Sequence, residues 1–144
     1  MLQVPPLPGC FIVSERTGRW AVALRRALPE APLRETRTLD ECRAELDLSP
    51  ASIAALEFTA AKGDEAAAFI AEVASRFPSA RVVILADRGL AENEWLLREL
   101  GAAAWTDSPR ELAAIVEVTR RHLESAAAPR PGLREQMLAR LPWG

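Results

Sequence analysis

Val82-Val83-Ile84-Leu85-Ala86 is an unbroken apolar run near the start of the stretch Arg81 to Glu111. A strand with no polar alternation is buried on both faces, and such strands belong to parallel sheets covered by helices. A polar loop follows, then a helical segment stopped at Gly101, a residue suited to the position just past a helix end. In that helix Trp95, Leu96, Leu97 and Leu100 read as one apolar face. Ala102 to Thr106 is a short strand of small residues plus Trp105. Ser108-Pro109-Arg110-Glu111 then reads as a helix start: Ser108 as N-cap, Pro109 in the first helical position, Glu111 completing a capping box. This last helix is expected to run to about Glu124, with Leu112, Ile115, Val116, Thr119 and Leu123 facing inward.

The same alternation recurs upstream. Residues 1–9, with three prolines and a glycine, form an irregular lead-in. Cys10 to Val13 is a buried strand. Arg19 to Leu28 is a helix with Trp20, Ala23, Leu24, Ala27 and Leu28 on one stripe, ended by Pro29 and Pro32. Leu33 to Thr38 suits a mostly polar edge strand. Thr38 to Glu41 is a capping box opening a second helix to about Leu48. Ile53 to Leu56 is a third buried strand, ending at Glu57-Phe58-Thr59. Asp64 is expected to cap a third helix, Glu65 to Phe77.

Strand and helix thus alternate five times. That order implies a parallel sheet with right-handed crossovers and helices on both faces. The α/β architecture expected is a flavodoxin-like, doubly wound five-stranded sheet of strand order 2-1-3-4-5. The polar second strand fits an edge position. In this topology function gathers at the carboxyl ends of the strands, here Ser14-Glu15, Glu57-Phe58-Thr59, Ala86-Asp87 and Thr106-Asp107-Ser108.

Composition narrows the function. The chain has 144 residues, 49% of them hydrophobic, enough for one domain with a real core. A net charge of −2 supplies no basic field, so no nucleic-acid partner is expected. No apolar run approaches a membrane span, and the first residues lack the basic region of a signal peptide, so the expected setting is the cytoplasm with no membrane partner. Cys10 and Cys42 lack metal-ligand spacing and are expected to be reduced core thiols. His122 is read as structural. Neither a metal nor any other cofactor is expected, and no nucleophile–base pair points to an enzyme.

Two segments, FPSARVVIL from Phe77 to Leu85 and GAAAWTDSP from Gly101 to Pro109, give the chain a resemblance to the response-regulator receiver domain across residues 10–124. The resemblance implies five functional positions. Two acids after the first strand would hold Mg²⁺, an Asp ending the third would accept a phosphoryl group, and a Thr or Ser ending the fourth and a Lys ending the fifth would contact its oxygens. Here those positions fall on Ser14 and Glu15, Glu57, Ala86 and Ser108. One carboxylate, the hydroxyl and the lysine charge are missing, and the acceptor is a methylene longer. The resemblance therefore implies a pseudo-receiver: the fold kept, the phosphotransfer chemistry lost.

The function this implies is a stand-alone, phosphorylation-independent module that works by protein–protein contact in bacterial signalling or assembly. One alternative is residual phosphoryl acceptance at Glu57, or Glu57 as a permanent mimic of the phosphorylated state. Another is a small-ligand-binding flavodoxin-like module, although Ser14 to Gly18 is no glycine-rich phosphate loop. The expected contact face, for a partner or a second copy, spans the fourth helix, fifth strand and fifth helix, with Trp95, Arg98, Trp105 and Arg110. Residues 125–132 read as a linker and 133–144 as a short amphipathic helix and tail, which docks either on its own domain or in a partner groove, with Leu133, Met137, Leu141 and Trp143 as further anchors.

Overall fold

The computed structural model describes residues 6–127. Five parallel strands form one sheet: β1 (Phe11–Ser14), β2 (Leu33–Thr36), β3 (Ile53–Phe58), β4 (Arg81–Ala86) and β5 (Ala102–Thr106). Their order is β2-β1-β3-β4-β5, as the alternation of elements required. Five helices cover the sheet: α1 (Arg19–Ala27), α2 (Leu39–Leu48), α3 (Gly63–Arg76), α4 (Glu94–Leu100) and α5 (Ala113–Ala127).

The side-chain period of two divides the central strands between two cores. Ile12, Ala54, Leu56, Phe58, Val82 and Ile84 pack beneath α2, α3 and α4. Phe11, Val13, Ile53, Ala55, Val83 and Leu85 pack beneath α1 and α5. A strand buried on both faces must be apolar at every position, which is why β4 reads as an unbroken run.

At β5 the period breaks. Val82 pairs with Ala102, but Val83 pairs with Ala104, so Ala103 is an extra residue in a bulge. One inserted residue reverses every later side chain. Trp105 therefore lies on the same face as Ala102, in the core under α3 and α4.

Local chemistry explains the helix boundaries. The Thr38 hydroxyl accepts the Glu41 N–H at 3.1 Å, capping α2, while Glu41 reaches back to the Arg37 N–H at 2.8 Å. Gly101 adopts φ 127°, a conformation that favours glycine, and ends α4. From Leu7 onward the lead-in is docked. Leu7 N–H donates to the Leu48 carbonyl at 2.8 Å and Cys10 N–H to the Ser52 hydroxyl at 3.0 Å. A Cβ on Gly9 would lie 2.5 Å from the Ala51 carbonyl oxygen, so the strap passes there only as glycine.

Several boundary expectations are corrected. Helix α5 starts at Ala113, not Ser108, and continues to Ala127 rather than ending at about Glu124. Helix α3 starts at Gly63, with Asp64 inside its first turn and making no cap bond. Strand β2 stops at Thr36, because Thr38 is already the cap of α2. In α4 only Leu97 is buried and Leu100 partly so; Trp95 and Leu96 are 67% and 44% exposed. Three consecutive apolar residues sweep about 200° of a helix, so a helix on a flat sheet cannot bury all of them. The tail positions Leu133, Met137, Leu141 and Trp143 lie outside the described residues. No helix among the described residues is long and apolar enough to cross a membrane.

Candidate functional site

Strands β1 and β3 are in register, Ser14 opposite Leu56, so the residues just beyond them meet at the carboxyl edge of the sheet. Ser14, closing β1, donates its hydroxyl to the Thr38 carbonyl at 3.3 Å. Glu15 follows and is 2% exposed. Its carboxylate accepts the N–H groups of Trp20 at 2.9 Å and Ala21 at 2.7 Å. These are first-turn amides of α1, which no intrahelical carbonyl can satisfy. Gly18, at the N-cap with φ 87°, has no side chain to serve them. Glu15 does so from three residues upstream, and its negative charge suits the helix N-terminus. Sequence reading placed Glu15 as the surviving acid of a metal-binding pair; the structure engages both of its oxygens within the chain.

Glu57, near the end of β3, is partly exposed, and its Oε1 accepts the Arg16 N–H at 3.3 Å. Ala86 ends β4 with no exposed surface. Its methyl group lies in the apolar core under α2, α3 and α4.

Ser108 does not cap α5. Its hydroxyl accepts the Arg110 N–H at 3.2 Å, closing a local turn. Thr106, which the sequence reading did not single out, organises this loop: its hydroxyl donates to the Glu111 carbonyl at 2.7 Å and accepts the Ser108 N–H at 3.3 Å. With the Glu111 carbonyl held by Thr106, the chain becomes helical only after Leu112, whose carbonyl accepts the Val116 N–H at 2.9 Å. A polar residue at the buried end of a strand was the available signal.

Three of the five positions share one cleft. A cleft of about 510 Å³ opens between α2 and α3 at the carboxyl edge; Ser14, Glu15 and Glu57 line it with Arg16, Arg37 and Lys62, whereas Ala86 and Ser108 do not. At its α2–α3 wall Arg43 binds Glu72, Nη2 to Oε1 at 2.8 Å, and also pairs with Asp40. The hydrogen bond from Arg43 holds the Glu72 carboxyl below its usual range, outweighing an opposite effect of burial. Among the described residues no three His, Cys, Asp or Glu side chains converge as metal ligands.

Trp105 is 8% exposed and packs on Phe58. Arg98 pairs with Glu94 at 2.7 Å, and Arg110 is exposed. Trp95 projects into solvent.

Comparison of the whole architecture with solved structures gives one consistent answer. A response regulator from Thermotoga maritima superposes with a TM-score of 0.67 at 17% identity, covering 82% of this chain and 99% of that one. This is the CheY-like receiver fold. A CheY-like protein, TadZ, from Pseudomonas aeruginosa matches this receiver fold with a TM-score of 0.63 at 18% identity, covering 88% of this chain and 99% of that one. A pilus assembly-related protein from Burkholderia pseudomallei matches with a TM-score of 0.57 at 17% identity, covering 90% and 99%. No protein-family model matches the sequence. No curated protein matches it either.

Proposed function

We propose that this chain is a pseudo-receiver: a receiver fold that works in the cytoplasm by protein contact, independently of phosphorylation. The observation that carries this reading is the engagement of Glu15. A Mg²⁺ ion takes near-octahedral oxygen ligands, and here the acid after β1 is buried against the Trp20 and Ala21 amides. The other positions support it. Ala86 offers a phosphoryl oxygen no donor, and Ser108 brings no charge and closes its own turn.

The same reading places the contact face on α4. Trp95 and Leu96 project from it, with Arg98 and Arg110 nearby. A solvent-exposed tryptophan beside arginines has the composition of an interface hot spot. Trp105 contributes from below, as a packed support rather than a contact. Two of the structural neighbours are described as pilus assembly proteins, which favours a place in a larger assembly over an isolated switch.

Incubation with a small acyl phosphate and Mg²⁺, read by intact mass and by an acid-stable trap of acyl phosphates, tests the reading. The expected result is no added phosphoryl group with or without Mg²⁺. Mg²⁺-dependent phosphorylation of Glu57 would overturn it.

A further inference from the structure

The exposed stripe of α4 carries a pattern of its own. Trp95 and Leu96 are flanked about one helical turn away on either side by Glu92 and Glu99, both exposed. Among the described residues neither carboxylate takes part in an ion pair, whereas Glu94 is held by Arg98. Beside the stripe, a shallow cleft of about 590 Å³ between α4 and the start of α5 is lined by Glu94, Asp107 and Glu111, with Arg110 the only cation among the described residues that line it. The surface is apolar at its centre; at its rim Glu92 and Glu99 stand without an ion pair among the described residues, while Arg98 is held by Glu94.

The segment after α5 has the complementary pattern. In residues 128–144 the charged groups are Arg130, Arg134 and Arg140 against Glu135 alone. Leu133, Met137 and Leu141 recur four apart, the spacing that gathers side chains on one face of a helix. We propose that residues 133–143 dock on the α4 stripe of the same chain, with Leu133, Met137 and Leu141 over Trp95 and Leu96, and Arg134 and Arg140 facing Glu92 and Glu99.

Reach permits it. Gly101, just past the end of α4, and Ser125, near the end of α5, line one cleft at the amino edge of the sheet. The chain therefore leaves α5 next to the end of α4. Residues 128–132 span about 17 Å when extended, more than the ~10 Å length of α4.

Charge decides against the other surface groove. That groove runs between α1 and α5 and is lined by Ala23, Ala27, Leu112 and Val116, with Arg26 and Arg110 at its rim and no carboxylate. A docking segment that carries Arg134 and Arg140 would meet like charge there, which costs free energy at an interface. On α4 the same segment meets Glu92, Glu99 and a tryptophan left exposed by the described residues. A partner using the α4 face must then first displace the segment, so the contact is self-covered.

The test uses the full chain with Gln136→Cys carrying a nitroxide; Cys10 and Cys42 are buried and stay unlabelled. The expected result is loss of backbone amide signals from Glu92 to Glu99, with Ala23 and Ala27 unaffected. Adding Glu92→Lys and Glu99→Lys restores those signals, and further adding Arg134→Glu and Arg140→Glu abolishes them again. Full signals at α4, or losses centred on Ala23 and Ala27, would overturn the proposal. So would equal losses in a mixture of isotope-labelled chains without nitroxide and nitroxide chains without isotope, which would mean docking between copies. This inference does not rest on the loss of phosphotransfer: acyl-phosphate labelling reads Glu57 and the nitroxide reads α4, so the two fail separately.

Discussion

The ring of Trp105 lies 5.8 Å from that of Phe58, tilted by 56°, at the carboxyl edge of the sheet. Tilted aromatic pairs at this distance add to simple burial. The bulge at Ala103 makes the pair, because strict alternation would turn Trp105 to the opposite face. Trp105→Ala is expected to cost about 3–5 kcal/mol. Trp95→Ala removes a ring that lies outside the sheet core, 67% exposed among the described residues, and is expected to cost less than Trp105→Ala. Urea unfolding of the two variants checks the contrast, and a Trp105→Ala cost as small as that of Trp95→Ala would remove Trp105 from the core.

Glu15 makes a different prediction. Glu15→Ala leaves two first-turn amides of α1 without acceptors in a buried setting. The expected loss is about 1–3 kcal/mol. If Glu15 served instead as a metal ligand, adding Mg²⁺ would raise the melting temperature of the parent chain and not of the variant. No Mg²⁺-dependent shift is expected in either.

Restoring one group of the receiver site should not restore its chemistry. Ala86→Thr places a hydroxyl in an apolar core with no exposed surface. The expected outcome is a loss of about 1–3 kcal/mol by thermal unfolding and still no labelling by an acyl phosphate. Labelling by Ala86→Thr alone would mean that Glu57 and the β1 end still form a working site.

The Arg43–Glu72 pair sets a pH dependence. The folded chain holds the Glu72 carboxyl below its usual range, chiefly through the hydrogen bond from Arg43. The unfolded chain binds that proton more readily, so the pair's contribution is complete above the ordinary carboxylate pKa of about 4.3. It disappears as pH falls through the lower folded value. Both side chains are partly exposed, and solvent screening limits the effect. Glu72→Gln is expected to cost roughly 0.5–1 kcal/mol at neutral pH, with the difference shrinking in acid and in high salt. A constant difference across the acid range would count against the pair.

The thiols are expected to be silent in the folded chain. Burial pushes the Cys42 thiol up to about 12, and the thiolate is the reactive form. Neither Cys10 nor Cys42 should react with an alkylating reagent at mildly alkaline pH until denaturant is added. Mass spectrometry of the alkylated chain reads this directly.

The sequence alone determined the layers and their order. Apolar runs such as Val82 to Ala86 have only one stable setting, a parallel strand covered on both faces. Proline, glycine and the Thr38 cap marked most of the breaks between elements, and those signals act within a few residues. The sequence also put Ser14, Glu15, Glu57, Ala86 and Ser108 at or near the carboxyl ends of the strands, because those ends follow from the order of the elements.

Tertiary structure decided what those positions do. Glu15 became a helix cap because Gly18 left the first turn of α1 without an acceptor, and only the packed β1–α1 turn brings the carboxylate back to it. Ser108 lost the start of α5 because Thr106, held at the end of a buried strand, binds the Glu111 carbonyl first. Trp95, which periodicity put on the apolar face of its helix, is exposed, and Trp105 is buried. A seven-residue helix is too short to fix its own phase, and a single bulged residue inverts a strand. Both are settled by packing against the sheet, which no local pattern encodes.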